Sequence, residues 1–595
     1  MATDAWGIDD GWLDTHGVWQ AAAPHTIEAI RAVIGEPTAG RPVRVVRPGQ
    51  QERLPGRCAL LLEDGTDLGE LDELPPDLPL GIHDLRPLDG GSTTALLVSP
   101  GRCPTGGDAP VWGVAMQIPT SRSRQSWGIG DLTDVRALGA WLRALGAGVL
   151  ALSPLHAPTP VHPIQRSPYS PSSRRWRSPL LIRVDDVPGA STPAIAELAR
   201  AARRLLVEPL VDRDRCWALQ HEALRMAWAA RSSSEDARLS AFRAAHGDDL
   251  EGWARFCVLA ARHGPRWQDW PEALRDPRSV AIDQELADAQ DDVAFHAWLQ
   301  LLVEDQLEAA RRDSPRLVQD LAVGCDPAGA DAWMWQDLLA FDFSIGAPPD
   351  EFVPDGQRWG LPPWVPTRLR DAGYRPLASL LRSCLSADGG LRIDHVMGLE
   401  RVFWVPEGGS PHDGAYVRFP YRALFEVVAL EASRARALVV GEDLGTVEPG
   451  FRDGLRSAGI HSTRVVWFED EPPSRWPVEV LAMATTHDLP TLAGACTGLD
   501  APAPMVEHLE AVVGPLAGRS IAEVAAATHA ALAHSPAHLV VATLEDLMGE
   551  IQRPNLPGTD RPSNWSVALP VTLDELAGHP GAQQSLVALR ARSGT

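Results

Sequence analysis

The chain has 595 residues, 45% of them hydrophobic, and its 78 acidic against 54 basic side chains leave a formal net charge of −24. That length holds more than one domain or one large barrel with insertions, and the acidic surplus argues against nucleic acid or an anionic membrane as partner, because phosphate binding needs clustered cations. All 54 basic residues are arginine, which excludes chemistry that depends on lysine: a Schiff-base pyridoxal phosphate enzyme, a Walker A loop or a kinase strand lysine.

The opening MATDAWGIDD has neither a basic n-region nor an apolar h-region, so no signal peptide is expected. Residues 1–105 form the first predicted domain. Thr26–Ile34 reads as a short amphipathic helix. The apolar runs VRVVRP, CALLLEDG, LPLGIHDL and TALLVSP follow, each bounded by turn residues, and they predict a small β-rich, sandwich-like domain. It carries no acidic constellation of catalytic type. The second domain, 106–595, alternates strand and helix. Val111–Ile118 is a strand, WGIGD (Trp127–Asp131) a Gly-rich loop, Leu132–Leu145 a helix and Ala147–Leu155 a strand, which is β/α order. Residues 157–315 are too long for a loop. Apolar spacing over Cys216–Ala230, Ala237–Ala245, Trp253–His263 and Asp291–Arg312 predicts a largely helical inserted subdomain, whose tryptophans are mostly core. Strand-like runs then recur at Arg316–Gly324, Gly390–Val396, Ala437–Gly445, Ser462–Phe468, Val480–Asp488 and His538–Gly549. The seven cysteines are scattered without a CxxC pair, so neither a zinc ribbon nor a disulfide framework is expected, and a reduced, cytoplasmic setting follows. No apolar run is long enough to span a bilayer.

Charge collects at the ends of three of these runs. GLRIDHVMGLERVFWVP (Gly390–Pro406) carries Asp394 and His395 after its apolar start, and ALVVGEDLG (Ala437–Gly445) carries Glu442 and Asp443. An α/β barrel does its chemistry where strands end. Two carboxylates there suit glycoside chemistry, one attacking the anomeric carbon and the other protonating the leaving oxygen. Helix capping is the alternative use of such acids, and spacing leaves Glu442 and Asp443 as rivals. Arg392 precedes Asp394 by two, so strand alternation puts both on one side, where a guanidinium orients the carboxylate. VLAMATTHD (Val480–Asp488) adds His487 and Asp488. Two loops read as substrate wall: SPYSP, which presents Tyr169 between prolines, and GAPPDEFVPDGQRWG (Gly346–Gly360), which carries Asp350, Phe352 and Trp359, with Gly346, Gly356 and Gly360 as points of movement.

Taken together, GLRIDHVMGL, VVGEDLGTVEPG and TTHDLPT resemble the three acidic motifs of the 4-α-glucanotransferases, or amylomaltases, of the α-amylase clan. WGVAMQIPTSRSRQSWGIGDLTDV, SPYSPSSRRWRSPLLI, GAPPDEFVPDGQRWGLPPW and RPNLPGT…NW are similar to the same family, in family order from Trp112 to about Trp565. The resemblance implies a (β/α)8 barrel, with the strand-like runs completing the count of eight. It implies a retaining double displacement that moves α-1,4-glucan segments between maltooligosaccharides, with glucose among the acceptors and no metal or organic cofactor. Asp394 becomes the nucleophile, Glu442 the acid/base and Asp488 the stabiliser of the transition state. His395, His487, Tyr169, Asp350 and Trp359 become sugar contacts. A clan member that mainly hydrolyses, or an idle glucan binder, are the other readings. Ser178, Leu181 and Ala322 depart from the family pattern, as does HDLPT in lacking a second acidic or amide residue; none of these is one of the three acids.

Overall fold

A computed structural model describes residues 2–14, 17–36, 40–107, 109–350 and 353–593. Phe352 therefore lies outside the described residues. Eight parallel strands close into a barrel: β1 Val111–Met116, β2 Val149–Leu152, β3 Arg316–Leu321, β4 Gly390–Ile393, β5 Leu438–Gly441, β6 Ile460–Val465, β7 Val480–Met483 and β8 Leu539–Thr543. Their order around the barrel is their order in the chain, with β8 pairing β1. The segments VLAL, LVVG, VLAM and LVVAT are almost wholly apolar because such strands are covered on both faces, and nearly every residue in them is buried. Gly113 in β1 is required by packing, since a Cβ there would sit 2.2 Å from the Val149 carbonyl oxygen of β2. These eight strands lie where the eight sequence runs predict them. The runs overshoot where an apolar strand passes straight into a helix, as at β8, where Leu544–Met548 is helical.

By its contacts the chain divides into two compact units. One holds Met1–Gly107, Leu321–Pro327 and Trp335–Ser462; the other holds Asp108–Asp320, Ala328–Met334 and Thr463–Thr595. In the first unit a five-stranded sheet runs in the order Val43–Val46, Thr94–Val98, Gly81–Pro87, Glu52–Leu61, Asp67–Leu74. The expected sandwich is therefore corrected. Instead of two stacked sheets there is one sheet whose two faces pack differently. Leu60, Leu74, Leu85, Leu96 and Val98 form a small core on one face. Ile82, Ala95 and Leu97 on the other join a large core with Tyr374, Leu377 and Leu381, so helices do the work of the second sheet. A further antiparallel sheet of Gln357–Arg358, Phe343–Ala347, Arg401–Pro406 and Ala415–Arg418 completes this unit.

In the second unit, Asp131 caps the helix Leu132–Ala144 through a capping box. Arg183 bonds both Asp131 and Asp134 and ties that helix to the chain after β2. The insertion is helical as predicted, with Pro193–Arg203, Arg213–Ala229, Ser233–His263 and Gln290–Asp313. Gly247, at φ 52°, breaks Ser233–His263 between the two stretches that periodicity separates. Trp217, Trp228, Trp253, Trp267, Trp270 and Trp298 are all buried, as core residues. Among the described residues no helix is long and apolar enough to cross a membrane.

Candidate active site

Asp394 and Glu442 stand one step beyond β4 and β5, in the first unit. The Asp394 amide donates to the Leu321 carbonyl at 3.0 Å, which extends the barrel ladder to the nucleophile candidate itself. Arg392 Nη1 lies 3.2 Å from Asp394 Oδ1, so alternation does put both on one side of β4. His395 follows at φ 48°, a left-handed conformation uncommon outside glycine. That turn lets the His395 amide donate to Glu442 Oε2 at 3.0 Å, while the Leu444 amide donates to Oε1 at 2.7 Å. Glu442 keeps some accessible surface, yet protein crowds its carboxyl on most sides. Burial pushes its pKa up to about 7; Asp394 adds to the rise, and Arg392 and the two amides oppose it. Asp443 has another fate. Fully buried, it takes a 2.7 Å bond from Arg452 and a 3.0 Å bond from Ser462. Asp443 is thus held in a buried ion pair, unlike Glu442.

The His395 ring meets Trp359 edge to face, with centroids 5.1 Å apart. Burial, helped by Arg401, pushes His395 down to about 4, so its imidazole is neutral at physiological pH. Trp359 itself is held by its indole N–H on Gln357 at 3.1 Å and its amide on Ile345 at 2.9 Å. Asp350 closes its own loop, accepting from the Val353 amide at 2.6 Å.

Asp488 and His487 lie just after β7, in the second unit. Asn555 Nδ2 donates to Asp488 Oδ1 at 2.6 Å, and His487 Nε2 lies 3.4 Å from Oδ2. Tyr169 stacks on the His487 ring at 4.8 Å and donates its hydroxyl to Asp320 at 2.6 Å. Trp565 closes this group, 5.3 Å from Tyr169 and 5.1 Å from His487. Arg553 holds the Asp488 carbonyl at 2.9 Å. Asp320, Asn555, Arg553 and Trp565 belong to this constellation and escape a reading by strand-end charge. One signal for them stands in the sequence. The chain has only two asparagines, Asn555 and Asn564, both inside RPNLPGT…NW. Asn564 braces that loop by donating to the Thr559 carbonyl at 2.8 Å.

Two acids placed after the successive strands β4 and β5 of a parallel barrel, one beside an arginine and one held by amides, match what a glycoside-bond enzyme of barrel type needs. The chain belongs to the 4-alpha-glucanotransferase family, glycoside hydrolase family 77, which matches residues 116–572. It is 38% identical over 575 residues to a 4-alpha-glucanotransferase of Mycobacterium tuberculosis, covering 85% of this chain and 78% of that one. With a 4-alpha-glucanotransferase of Haemophilus influenzae it shares 33% identity over 473 residues, covering 73% of this chain and 68% of the other. Its fold matches the crystal structure of amylomaltase from Corynebacterium glutamicum at TM-score 0.85 and 29% identity, over 98% of both chains.

Proposed function

We propose that Asp394, Glu442 and Asp488 are the catalytic acids of this enzyme. The enzyme transfers α-1,4-glucan segments with retention of configuration. In this reading an Asp394 carboxylate oxygen attacks C1 of the donor sugar. The C1–O4 bond breaks, and the Glu442 proton passes to the departing O4. The 4-hydroxyl of a second glucan, or of free glucose, then attacks C1 while Glu442 takes its proton and the Asp394 ester opens. Asp488, oriented by Asn555, binds sugar hydroxyls and tightens as C1 gains oxocarbenium character. Neutral His395, His487, Tyr169, Asp350 and Trp359 contact the sugars, and Arg392 orients the nucleophile. The observation that carries this reading is the raised pKa of Glu442, which keeps its proton available near neutral pH, as a general acid requires. None of the seven cysteines is joined in a disulfide, which supports a reduced, cytoplasmic setting.

The test uses Glu442→Gln. The variant loses turnover of maltotriose but still forms the covalent intermediate from an α-glucosyl fluoride, whose leaving group needs no proton. Mass spectrometry should place the trapped sugar on Asp394. An adduct on Glu442 in the wild-type protein would reverse the two roles.

A further inference from the structure

The two amides that hold the Glu442 carboxyl sit on two short stretches of chain. His395 is followed six residues later by Arg401, and Leu444 four residues later by Glu448. Both stretches end in one partly buried ion cluster. Arg401 Nη1 lies 2.8 Å from Glu448 Oε1. Arg418 forks onto the same carboxylate at 2.7 and 2.9 Å. The two guanidinium charges need two carboxylates, and the second comes from elsewhere. Asp9, fully buried, accepts from Arg418 Nε at 2.7 Å and turns its other oxygen to Arg401 at 3.7 Å. Thr3 donates to Asp9 at 2.6 Å.

The segment that carries Asp9 is built onto this sheet. Ile8 bridges Val417, the Asp9 amide donates to the Tyr416 carbonyl at 3.0 Å, and the Arg418 amide to the Gly7 carbonyl at 2.8 Å. Trp12 packs edge to face on Phe403, centroids 5.1 Å apart. Arg401 lies 3.9 Å over the Tyr416 ring. The same sheet leads through Phe343–Ala347 and Gln357–Arg358 to Trp359, which touches His395.

We propose that Asp9 is a positioning residue for the reaction. By neutralising Arg401 and Arg418 it fixes both chain segments whose amides orient Glu442, and so gives residues 2–14 a share in acid/base catalysis. The inference rests on Glu442 being the acid/base. Without the Asp9 charge, buried Arg401 and half-buried Arg418 are left bonded to one carboxylate, and the cluster must shift or admit water. A small displacement of the proton donor slows steps that need its proton and spares those that do not.

The experiment compares two half-reactions in Asp9→Asn. With maltotriose, kcat should fall roughly tenfold while KM holds, because proton delivery is impaired and binding is not. The first burst of fluoride from an α-maltosyl fluoride should stay at the wild-type rate. Asp9→Glu should recover part of the loss, and Arg418→Gln, which removes the other end of the same bridge, should give the same split. An equal fall in both half-reactions, tracking Tm, would reduce Asp9 to a structural role and overturn the inference, as would no change in either. Glu442→Gln serves as the control. If it keeps maltotriose turnover, the acid/base assignment itself is wrong; if it loses turnover and Asp9→Asn does not, only the positioning role fails.

Discussion

Glu442 and Asp443 are neighbours in sequence with opposite fates, and the cause is what each carboxyl meets. Arg452 gives Asp443 a formal counter-charge at 2.7 Å, whereas Glu442 is given only amide dipoles and a share of Arg392's field. Burial without a full counter-charge favours the proton. Asp394, bonded to Arg392, has the environment that a nucleophile needs. Asp394→Asn should lower kcat on maltotriose by roughly four orders of magnitude, since no other group can form the ester, with Tm within a few degrees of wild type. Retention of a tenth of wild-type turnover would remove Asp394 from that role. The places of Asp394, Glu442 and Asp488 just after barrel strands were legible because each ends an apolar run, a pattern set by local sequence. The group of Tyr169, His487 and Trp565 was legible only in part. Its members come from distant parts of the chain and meet through ring contacts that leave no periodic trace.

Among the elements, the stretch that closes the loop Gly346–Gly360 packs Trp359 on His395, just after β4. The loop's glycines do not act alike. Gly346 is a strand residue opposite Arg358, and a Cβ there would lie 2.1 Å from the Gln357 carbonyl oxygen, so it serves close pairing and not movement. Gly356 and Gly360 adopt positive φ, at 69° and 72°, but only Gly360 has open space around it. Asp350 further closes the turn on Val353. Trp359, packed against both the core and His395, is thus a fixed wall at the base of the loop. A fixed apolar face suits the acceptor sugar, which must displace water from the intermediate to give transfer. Trp359→Ala should keep the first half-reaction and raise reducing-end release relative to transfer from maltotriose severalfold. An effect confined to KM for the donor would make Trp359 a donor-side platform. Sequence placed the helices and barrel strands well, because both carry strong apolar patterns. It missed Asp67–Leu74, an edge strand whose side chains are mostly exposed and so show no apolar run. It also missed the second antiparallel sheet, one edge of which lies in the Gly- and Pro-rich stretch Gly346–Gly360 that reads as loop.

For the whole molecule, the distribution of buried acids sets how stability depends on pH. Half-buried Glu63 is pushed up by burial but pulled down to about 2 by Arg434 and Arg382, so its contribution is present above the ordinary carboxylate range and lost in strong acid. Glu545 works in the opposite sense. It lies buried in the helix after β8, and burial, reinforced by Asp546 and Glu550, pushes it up to about 7, with its own backbone and His487 opposing. Asp546 beside it is likewise raised by burial, to about 6, although the Leu492 amide donates to it at 2.8 Å. The folded protein therefore holds protons between pH 4.5 and 7 that the unfolded chain releases. Where the native state binds more protons, stability falls as pH rises. The contribution of Glu545 is thus fully present below its ordinary pKa and is lost as pH rises through about 7. A glutamine at this site is neutral at every pH and escapes that loss. Glu545→Gln should leave stability near wild type at about pH 4.5 and raise it progressively as pH climbs to about 7, levelling off above that, by on the order of 3 kcal/mol at most, seen as a rising Tm. Calorimetry of both proteins across that range tests the sign directly: a Tm difference that is constant, or that shrinks as pH rises, would mean that Glu545 is ionised in the folded protein.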